Sequence, residues 1–166
     1  LDTGRYRAFI ASALDVSPKD ILSLSLGGHG DTMVPLPRYT TVNGIPIDEL
    51  LDQDEIHKIV ERTRFGGGEL VNLMGTSAWY APGAAAAQMV EAIVDDQKRI
   101  FPVCAYLNGE YGLKDIYMGV PVKLGKNGVA EVFELKLNKE ESKMLQDSGK
   151  SVKSVMKVLD DMKLFK

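Results

Sequence analysis

A glycine-rich run, GGHGDTMVP from Gly27 to Pro35, directly follows an apolar run from Ile21 to Leu26, and this order most constrains the fold. The apolar run predicts a buried strand, and glycines permit the sharp turns that end a strand. The glycine-rich run contains one histidine, His29, a residue type that exchanges protons near neutral pH. A histidine presented at a strand end with little bulk around it predicts a proton shuttle for a small substrate. The alternative is a loop histidine that only hydrogen-bonds its neighbours.

The first seven residues, LDTGRYR, contain a second candidate group of site residues. Asp2 and Arg5 are three positions apart, so on a helix they share a face. An aspartate can hold the donor nitrogen of a histidine and fix its tautomer, and an arginine can bind a carboxylate through two parallel hydrogen bonds. With His29, these residues predict a site for a small carboxylate that gains or loses a proton. The alternative is an ordinary surface ion pair on a helix.

The pattern along the chain favours an α+β fold with a largely antiparallel sheet packed against helices. Asn43-Gly44 is a strong signal for a two-residue hairpin turn. Strands and helices do not alternate as they do around a parallel sheet, and the length fits one domain spanning residues 1–166. Helices are predicted at Asp2–Leu14, Asp52–Arg64, Glu69–Met74, Pro82–Lys98 and Asn138–Leu164. Strands are predicted at Ile21–Leu26, Arg38–Val42, Ile45–Ile47, Pro102–Leu107, Ile116–Leu124 and Val129–Leu135.

Charge and composition argue against several classes of partner. Twenty Lys and Arg residues against 23 Asp and Glu give a net charge of −3, so neither nucleic acid nor a membrane surface is expected as a partner. No apolar run approaches the roughly 18 residues of a membrane-spanning helix. The single cysteine, Cys104, cannot form an internal disulfide, which favours a reducing cytoplasm. His57 lies on a charged helix, and without a second histidine or a cysteine cluster at ligand spacing no metal site is expected.

Two motifs carry a family resemblance. LDTGRYR, followed by GGHGDTMVPLPRYTTVNGIPI, resembles the second half of the NAD-dependent lactate/malate dehydrogenase family, whose pattern is an L-D-x-x-R-x-R helix and then a G-x-H-G-D loop. The similarity continues through GGGELVNLMGTSAWYAPGAAAAQMVEAI and PVCAYLNGEYGLKDIYMGVPVKLGKNGV. Within the family, the chain is most similar to the bacterial malate dehydrogenases that are built like lactate dehydrogenases.

The resemblance implies the fold of the family's C-terminal domain and a reversible NAD-dependent oxidation of (S)-malate to oxaloacetate. It implies that His29 accepts and donates the proton, that Asp2 supports His29, and that Arg5 binds the substrate carboxylate. Ser77, Ala78 and Pro82 align with the pocket wall beside the nicotinamide, but no residue is assigned to cofactor binding.

Family members open with a dinucleotide-binding half, and nothing in this chain fits one. Gly66–Gly68 follow a helical stretch rather than a strand, so they predict a helix break and not a phosphate-binding turn. We therefore expect the chain to be the C-terminal half of a longer enzyme, inactive without the missing N-terminal Rossmann half. The resemblance also implies a homodimer or homotetramer, with Trp79, Ala84–Ala87 and the first helix as candidate contacts.

Two other functions remain open at this point. A lactate dehydrogenase of the same fold is possible because the loop that reads the far end of the substrate belongs to the missing half, although PLPRYTTVNGIPI and SAWYAP resemble the malate branch. A non-catalytic interaction fragment is the other, and a pure scaffold has no physical need for Asp2, Arg5 and His29 together.

Overall fold

Four helices and eight strands make up residues 1–162, the part of the chain that the computed structural model describes. The helices are α1 (Asp2–Leu14), α2 (Gln53–Met74), α3 (Tyr80–Val94) and α4 (Lys139–Met162). The strands are β1 (Ile21–Leu22), β2 (Ser25–Gly27), β3 (Met33–Pro35), β4 (Thr41–Val42), β5 (Ile45–Pro46), β6 (Arg99–Asn108), β7 (Lys114–Gly125) and β8 (Gly128–Val132). They form two sheets, β1-β4-β5 and β3-β2-β7-β6 with β8 also on β7, and every described pairing is antiparallel. The predicted α+β class is confirmed.

Two hydrophobic clusters hold these elements together. The larger one lies between the five-stranded sheet and helices α3 and α4, and Met118, Val120 and Leu145 are fully or almost fully buried in it. The smaller one joins α1, α2 and the three-stranded sheet through side chains such as Tyr6 and Ile10. The glycine-rich run follows β2 of the larger sheet, and α1 belongs to the smaller cluster. The candidate site residues therefore lie on segments that pack into different clusters.

The predicted strand Ile21–Leu26 is wrong as a single element. Ile21 and Leu22 pair with β4 in the small sheet, whereas β2 pairs with β3 and β7 in the large one. Ile21 belongs to the smaller cluster and Leu26 to the larger. One continuous apolar run therefore contributes side chains to both clusters. The pattern of apolar residues is the same on either side of the point where the chain passes from the small sheet to the large one, so it does not predict that point.

Strand β3 lies in the second half of the glycine-rich run, where the sequence pattern predicts no strand. β2 meets β7 at Gly27 and Gly119, and a β-carbon on Gly119 would lie 2.8 Å from the carbonyl oxygen of Gly27. Gly27 also has a φ of +92°, a conformation that favours glycine. The close approach of the two strands thus requires glycine at position 119, and the positive φ favours it at position 27. His29 lies two residues beyond the end of β2.

The hairpin turn at Asn43-Gly44 is confirmed, with both residues at positive φ (49° and 89°) as a type I′ turn requires. Its arms are shorter than predicted, because a 3-10 turn at Pro37–Tyr39 precedes β4 and another at Ile47–Glu49 follows β5. Proline favours this local geometry at the start of a turn.

The predicted helix break at Gly66–Gly68 is wrong. α2 runs without interruption from Gln53 to Met74, so the two predicted helices are one. Its buried residues are Ile56, Ile59, Thr63 and Gly66, which form one stripe at helical spacing. Tertiary packing along this stripe outweighs the low helix propensity of glycine.

The last part of the chain follows the prediction with shifted ends. α3 begins at Tyr80 and ends at Val94, short of the predicted Lys98, because Asp96 and Lys98 adopt positive φ. β6 and β7 are longer than predicted, and β8 ends at Val132. α4 begins at Lys139, one residue after the predicted start, and Asn138 caps it by accepting a hydrogen bond from the Glu141 amide. The predicted end at Leu164 lies outside the described residues.

Candidate active site

His29 and Asp2 are in direct contact across 27 positions of sequence. The Nδ1 atom of His29 lies 2.9 Å from Oδ2 of Asp2. The His29 side chain is 67% exposed, whereas that of Asp2 is 19% exposed. The structure thus places a largely accessible imidazole on a sheltered carboxylate, as the sequence predicted for this pair.

The contact with Asp2 decides which face of the imidazole is available. A carboxylate oxygen accepts hydrogen bonds, so Nδ1 of His29 is the donor. In the neutral ring, the other nitrogen, Nε2, then carries the lone pair. The exposed histidine can therefore accept a proton at Nε2 while Asp2 fixes its orientation and stabilises the positive charge that forms.

Arg5 lies on the other side of Asp2. Its Nη1 atom is 3.6 Å from Oδ1 of Asp2 and donates a hydrogen bond of 3.1 Å to the carbonyl oxygen of Thr63 on α2. The Arg5 side chain is only 14% exposed. Within residues 1–162, its Nη2 atom makes no hydrogen bond, so the guanidinium retains donors for a carboxylate. The predicted group of His29, Asp2 and Arg5 is therefore assembled.

Two contacts from distant segments hold the loop that carries His29. The Oγ atom of Ser148 on α4 accepts a 2.8 Å hydrogen bond from the Gly28 amide. Arg64 on α2 donates to the carbonyl oxygen of Asp31 through Nε (2.8 Å) and Nη2 (2.5 Å), while its Nη1 contacts Glu61 at 2.9 Å. Sequence reasoning missed Ser148 and Arg64 because these partners lie 120 and 33 positions away from the loop residues they contact. No local motif marks them.

Two of the three site residues border a large cavity of about 1130 Å³. Arg5 and His29 line it together with Ser77, Ala78 and Pro82, the three residues that align with the family's pocket wall. This volume is slightly above the range of about 300–1,000 Å³ that is usual for small-molecule and cofactor sites. The cavity could therefore admit a substrate together with part of a larger cofactor.

The other chemically active residues stand apart from this cavity. His57 is exposed on α2, as predicted. Cys104 lies on β6, and burial of its surroundings raises the pKa of its thiol, whereas nucleophilic cysteines have a lowered pKa. In the described part of the chain, no group of three or more His, Cys, Asp or Glu side chains could hold a metal ion. No helix within residues 1–162 is long and apolar enough to span a membrane.

Comparison with known proteins gives the same assignment over almost the whole chain. Residues 1–162 match the family model for the lactate/malate dehydrogenase alpha/beta C-terminal domain. The chain is 65% identical over 162 residues to the malate dehydrogenase of Cytophaga hutchinsonii, covering 98% of this chain and 52% of that protein. It is 61% identical over 162 residues to the malate dehydrogenase of Salinibacter ruber, covering 98% of this chain and 51% of that protein. The chain therefore spans about half the length of the curated relatives it matches.

Solved structures share the fold. The structure of Salinibacter ruber malate dehydrogenase superposes with a TM-score of 0.94 at 60% identity, over 97% of this chain and 53% of that one. The lactate dehydrogenase of Eimeria maxima with NADH and oxamate superposes with a TM-score of 0.90 at 42% identity, over 99% of this chain and 54% of that one. On the family match and these relatives, the chain belongs to the lactate/malate dehydrogenase family and corresponds to its C-terminal domain.

Proposed function

We propose that this chain supplies the substrate-binding and proton-transfer part of an NAD-dependent malate dehydrogenase, which interconverts (S)-malate and oxaloacetate. The observation that carries the proposal is the contact of His29 Nδ1 with Asp2 Oδ2 at 2.9 Å, with Arg5 beside it on the wall of the same cavity. Proton transfer at a hydroxy acid needs a group that exchanges the proton, a group that supports it and a group that binds the carboxylate. His29, Asp2 and Arg5 provide these three functions.

In the proposed reaction, each of the three residues has a separate task. Arg5 binds a substrate carboxylate with the donors that Thr63 leaves free, and this fixes the distance and angle of the reacting carbon. The hydroxyl group of malate donates its proton to Nε2 of His29. Asp2 stabilises the resulting imidazolium through Nδ1. In the reverse direction, His29 returns the proton to the keto oxygen of oxaloacetate.

The residues of this chain fit one side of a nicotinamide cofactor and not its phosphates. Ser77, Ala78 and Pro82 form a weakly polar wall of the cavity that His29 borders. All strand pairings described within residues 1–162 are antiparallel, whereas dinucleotide phosphates are usually bound by a parallel strand–helix–strand unit. NAD supplies the hydride acceptor when bound, and this chain orients the substrate and moves the proton. Support for NAD comes also from the NADH in the Eimeria maxima structure.

A lactate dehydrogenase is the second candidate, because the Eimeria maxima enzyme shares the fold at 42% identity. Identity to the malate dehydrogenases of Cytophaga hutchinsonii and Salinibacter ruber is higher, at 65% and 61%. Arg5 and His29 serve any 2-hydroxy acid equally well, so these residues do not separate the two substrates. Malate is the proposal because the similarity over the whole domain is greater on that side.

The proposal includes two kinds of partner. One is a dinucleotide-binding half, which provides the phosphate site. The other is a second copy of the protein, as a homodimer or homotetramer. Trp79, just before α3, is 74% exposed and Tyr80, its first residue, is 94% exposed, and exposed aromatic side chains of this kind mark a contact surface. Ala84–Ala87, another predicted contact, are also largely uncovered. A single cysteine supports a reducing cytoplasm as the location.

A chimera tests the proposed activity. In it, residues 1–162 of this chain replace the matched part of Salinibacter ruber malate dehydrogenase, and NADH oxidation is followed with oxaloacetate and with pyruvate. We expect turnover with oxaloacetate that disappears when Asp2, Arg5 and His29 are replaced together by Asn, Ala and Asn. Because the loop that reads the far end of the substrate comes from the Salinibacter ruber half, the ratio of the two rates reports on that half, and the presence of turnover tests this domain. A folded chimera that binds NADH but turns over neither substrate would contradict both.

A further inference from the structure

Three consecutive glycines bring the backbone of α2 towards the Arg5 side chain to different degrees. A β-carbon on Gly66 would lie 2.8 Å from Arg5 Cδ and 3.4 Å from its Nε. On Gly67, a β-carbon would lie 3.5 Å from Nη2, which is ordinary van der Waals contact. On Gly68, it would have no neighbour within 4 Å. The three positions therefore differ in their effect on Arg5 while sharing one helix.

A side chain at position 66 would displace the guanidinium of Arg5. A contact of 2.8 Å is too short for two carbon atoms, and Cδ is bonded to Nε, so a shift at Cδ moves the charged group. The same β-carbon would lie 3.4 Å from Cε2 of Phe9, and the Arg62 guanidinium lies 4.4 Å from the centre of the Phe9 ring. At 3.4 Å the contact with Phe9 is close to ordinary van der Waals distance, so the short contact with Arg5 is the one that a side chain at position 66 must relieve.

The helix also holds Arg5 directly, through the 3.1 Å hydrogen bond from Nη1 to the Thr63 carbonyl oxygen. Thr63 and Gly66 are three positions apart and are both buried. One turn of α2 thus provides a hydrogen-bond acceptor and a flat surface for the same side chain. Glycine inside a helix is less favourable than alanine, and close approach of Arg5 explains why it stands at position 66.

We propose that Gly66 is a positioning residue for the substrate carboxylate: by lacking a side chain, it lets Arg5 lie against α2 with its guanidinium directed at the substrate. Gly67 contributes less, and Gly68 does not contribute. This inference rests on the proposed role of Arg5 as the carboxylate-binding group and deepens it.

Alanine substitutions at the three positions in the chimera test the inference. Gly66→Ala should raise the KM for oxaloacetate about tenfold to a hundredfold, because small displacements of an orienting group have effects of that size. Gly67→Ala should have a smaller effect. Gly68→Ala is the matched control and should leave KM unchanged while raising Tm slightly. NADH affinity and the pH dependence of turnover, which report on other groups, should stay the same in all three.

The variants Arg5→Ala and Arg5→Ala/Gly66→Ala separate this inference from the proposed function. With Arg5 truncated, Gly66→Ala should cause no further rise in KM and should raise Tm, even if Gly66→Ala alone folds poorly. A normal KM in Gly66→Ala, when Arg5→Ala raises KM, would overturn the inference and leave the function intact. A lower Tm from Gly66→Ala in the Arg5→Ala background would also overturn it. A normal KM in Arg5→Ala would overturn the proposed function itself.

Discussion

Each of the three site residues has a different set of contacts, and this makes their roles separable by single substitutions. Asp2 contacts His29 through Oδ2 and Arg5 through Oδ1, and both of these partners line the cavity. A change at Arg5 should therefore affect substrate binding, and a change at Asp2 should affect proton transfer.

Arg5→Lys keeps the charge but loses the planar pair of donors. Hydrogen bonds to charged groups are worth about 1.5–3 kcal/mol, so affinity for oxaloacetate should fall about tenfold to a hundredfold. Affinity for NADH should hardly change, because the polar contacts of Arg5 among the described residues are with Asp2 and Thr63, within the substrate-side group. Both constants can be measured in the chimera by titration. Equal losses of NADH and substrate binding would show that Arg5 has another role.

Asp2→Asn removes the charge that stabilises protonated His29 and allows the wrong tautomer of the ring, since an amide can donate as well as accept. Turnover in the chimera should fall by about 10² or more, and the pH–rate profile should change shape. Substrate KM should change less than turnover. An unaltered profile together with normal turnover would rule out a functional Asp2–His29 contact.

At the scale of elements, α4 is joined to the 3-10 turn at Pro37–Tyr39 by a buried carboxylate. Arg38 donates to both oxygens of Glu141 at 2.9 Å, and Asn138 and Glu141 exchange hydrogen bonds of 2.8 and 2.9 Å between side chain and backbone. The second pair is a capping box at the start of α4. Hydrogen bonding to Arg38 is the main cause that holds the pKa of Glu141 below its ordinary value of 4.5, against the opposing effect of burial.

Glu141→Gln should therefore destabilise the protein in a pH-dependent way. A carboxyl group with a lowered folded-state pKa stabilises the fold above its unfolded pKa, and this contribution is lost as the pH falls through the folded value. At neutral pH, the substitution should cost about 1–3 kcal/mol, and the difference from wild type should shrink below about pH 4.5. Urea denaturation of the chimera between pH 3 and 7 measures it. A difference independent of pH would show that the charge is not the cause.

The elements that the sequence predicted well are those with local signals. α1, the turn at Asn43-Gly44 and the start of α4 at Asn138 depend on helical periodicity, on turn chemistry and on a cap. Three elements were missed for non-local reasons: the chain changes sheet between Leu22 and Ser25, β3 pairs inside a glycine-rich run, and α2 continues through Gly66 because Arg5 packs there.

The residues of the candidate site also fall into those with a local sequence signal and those without one. Asp2, Arg5 and His29 belong to short motifs, so their proximity could be predicted from the family resemblance and from helix spacing. Arg64, Ser148 and Gly66 act only through tertiary contacts with those motifs. Their residue types are common and their spacing is uninformative, so only the folded structure reveals them.

At the scale of the whole molecule, the strands of the described residues pair only antiparallel, and no parallel strand–helix–strand unit of the kind that binds dinucleotide phosphates is found among these residues. The isolated chain should therefore show no saturable binding of NADH and no dehydrogenase activity. Isothermal calorimetry with NADH at increasing protein concentration measures this, with the chimera as the positive control. Saturable NADH binding by residues 1–166 would mean that this domain itself contains the cofactor site.

The central claim is that His29 transfers the proton at the substrate. The most direct test is the rate of NADH oxidation in a single turnover, with oxaloacetate and saturating NADH, in the chimera and in its His29→Asn variant. Because general acid–base catalysis usually contributes about 10²–10⁴, the variant should react more slowly by that factor while binding NADH and unfolding as the parent does. A His29→Asn variant that reacts within about threefold of its parent, when a factor of 10² or more is expected, would contradict the claim.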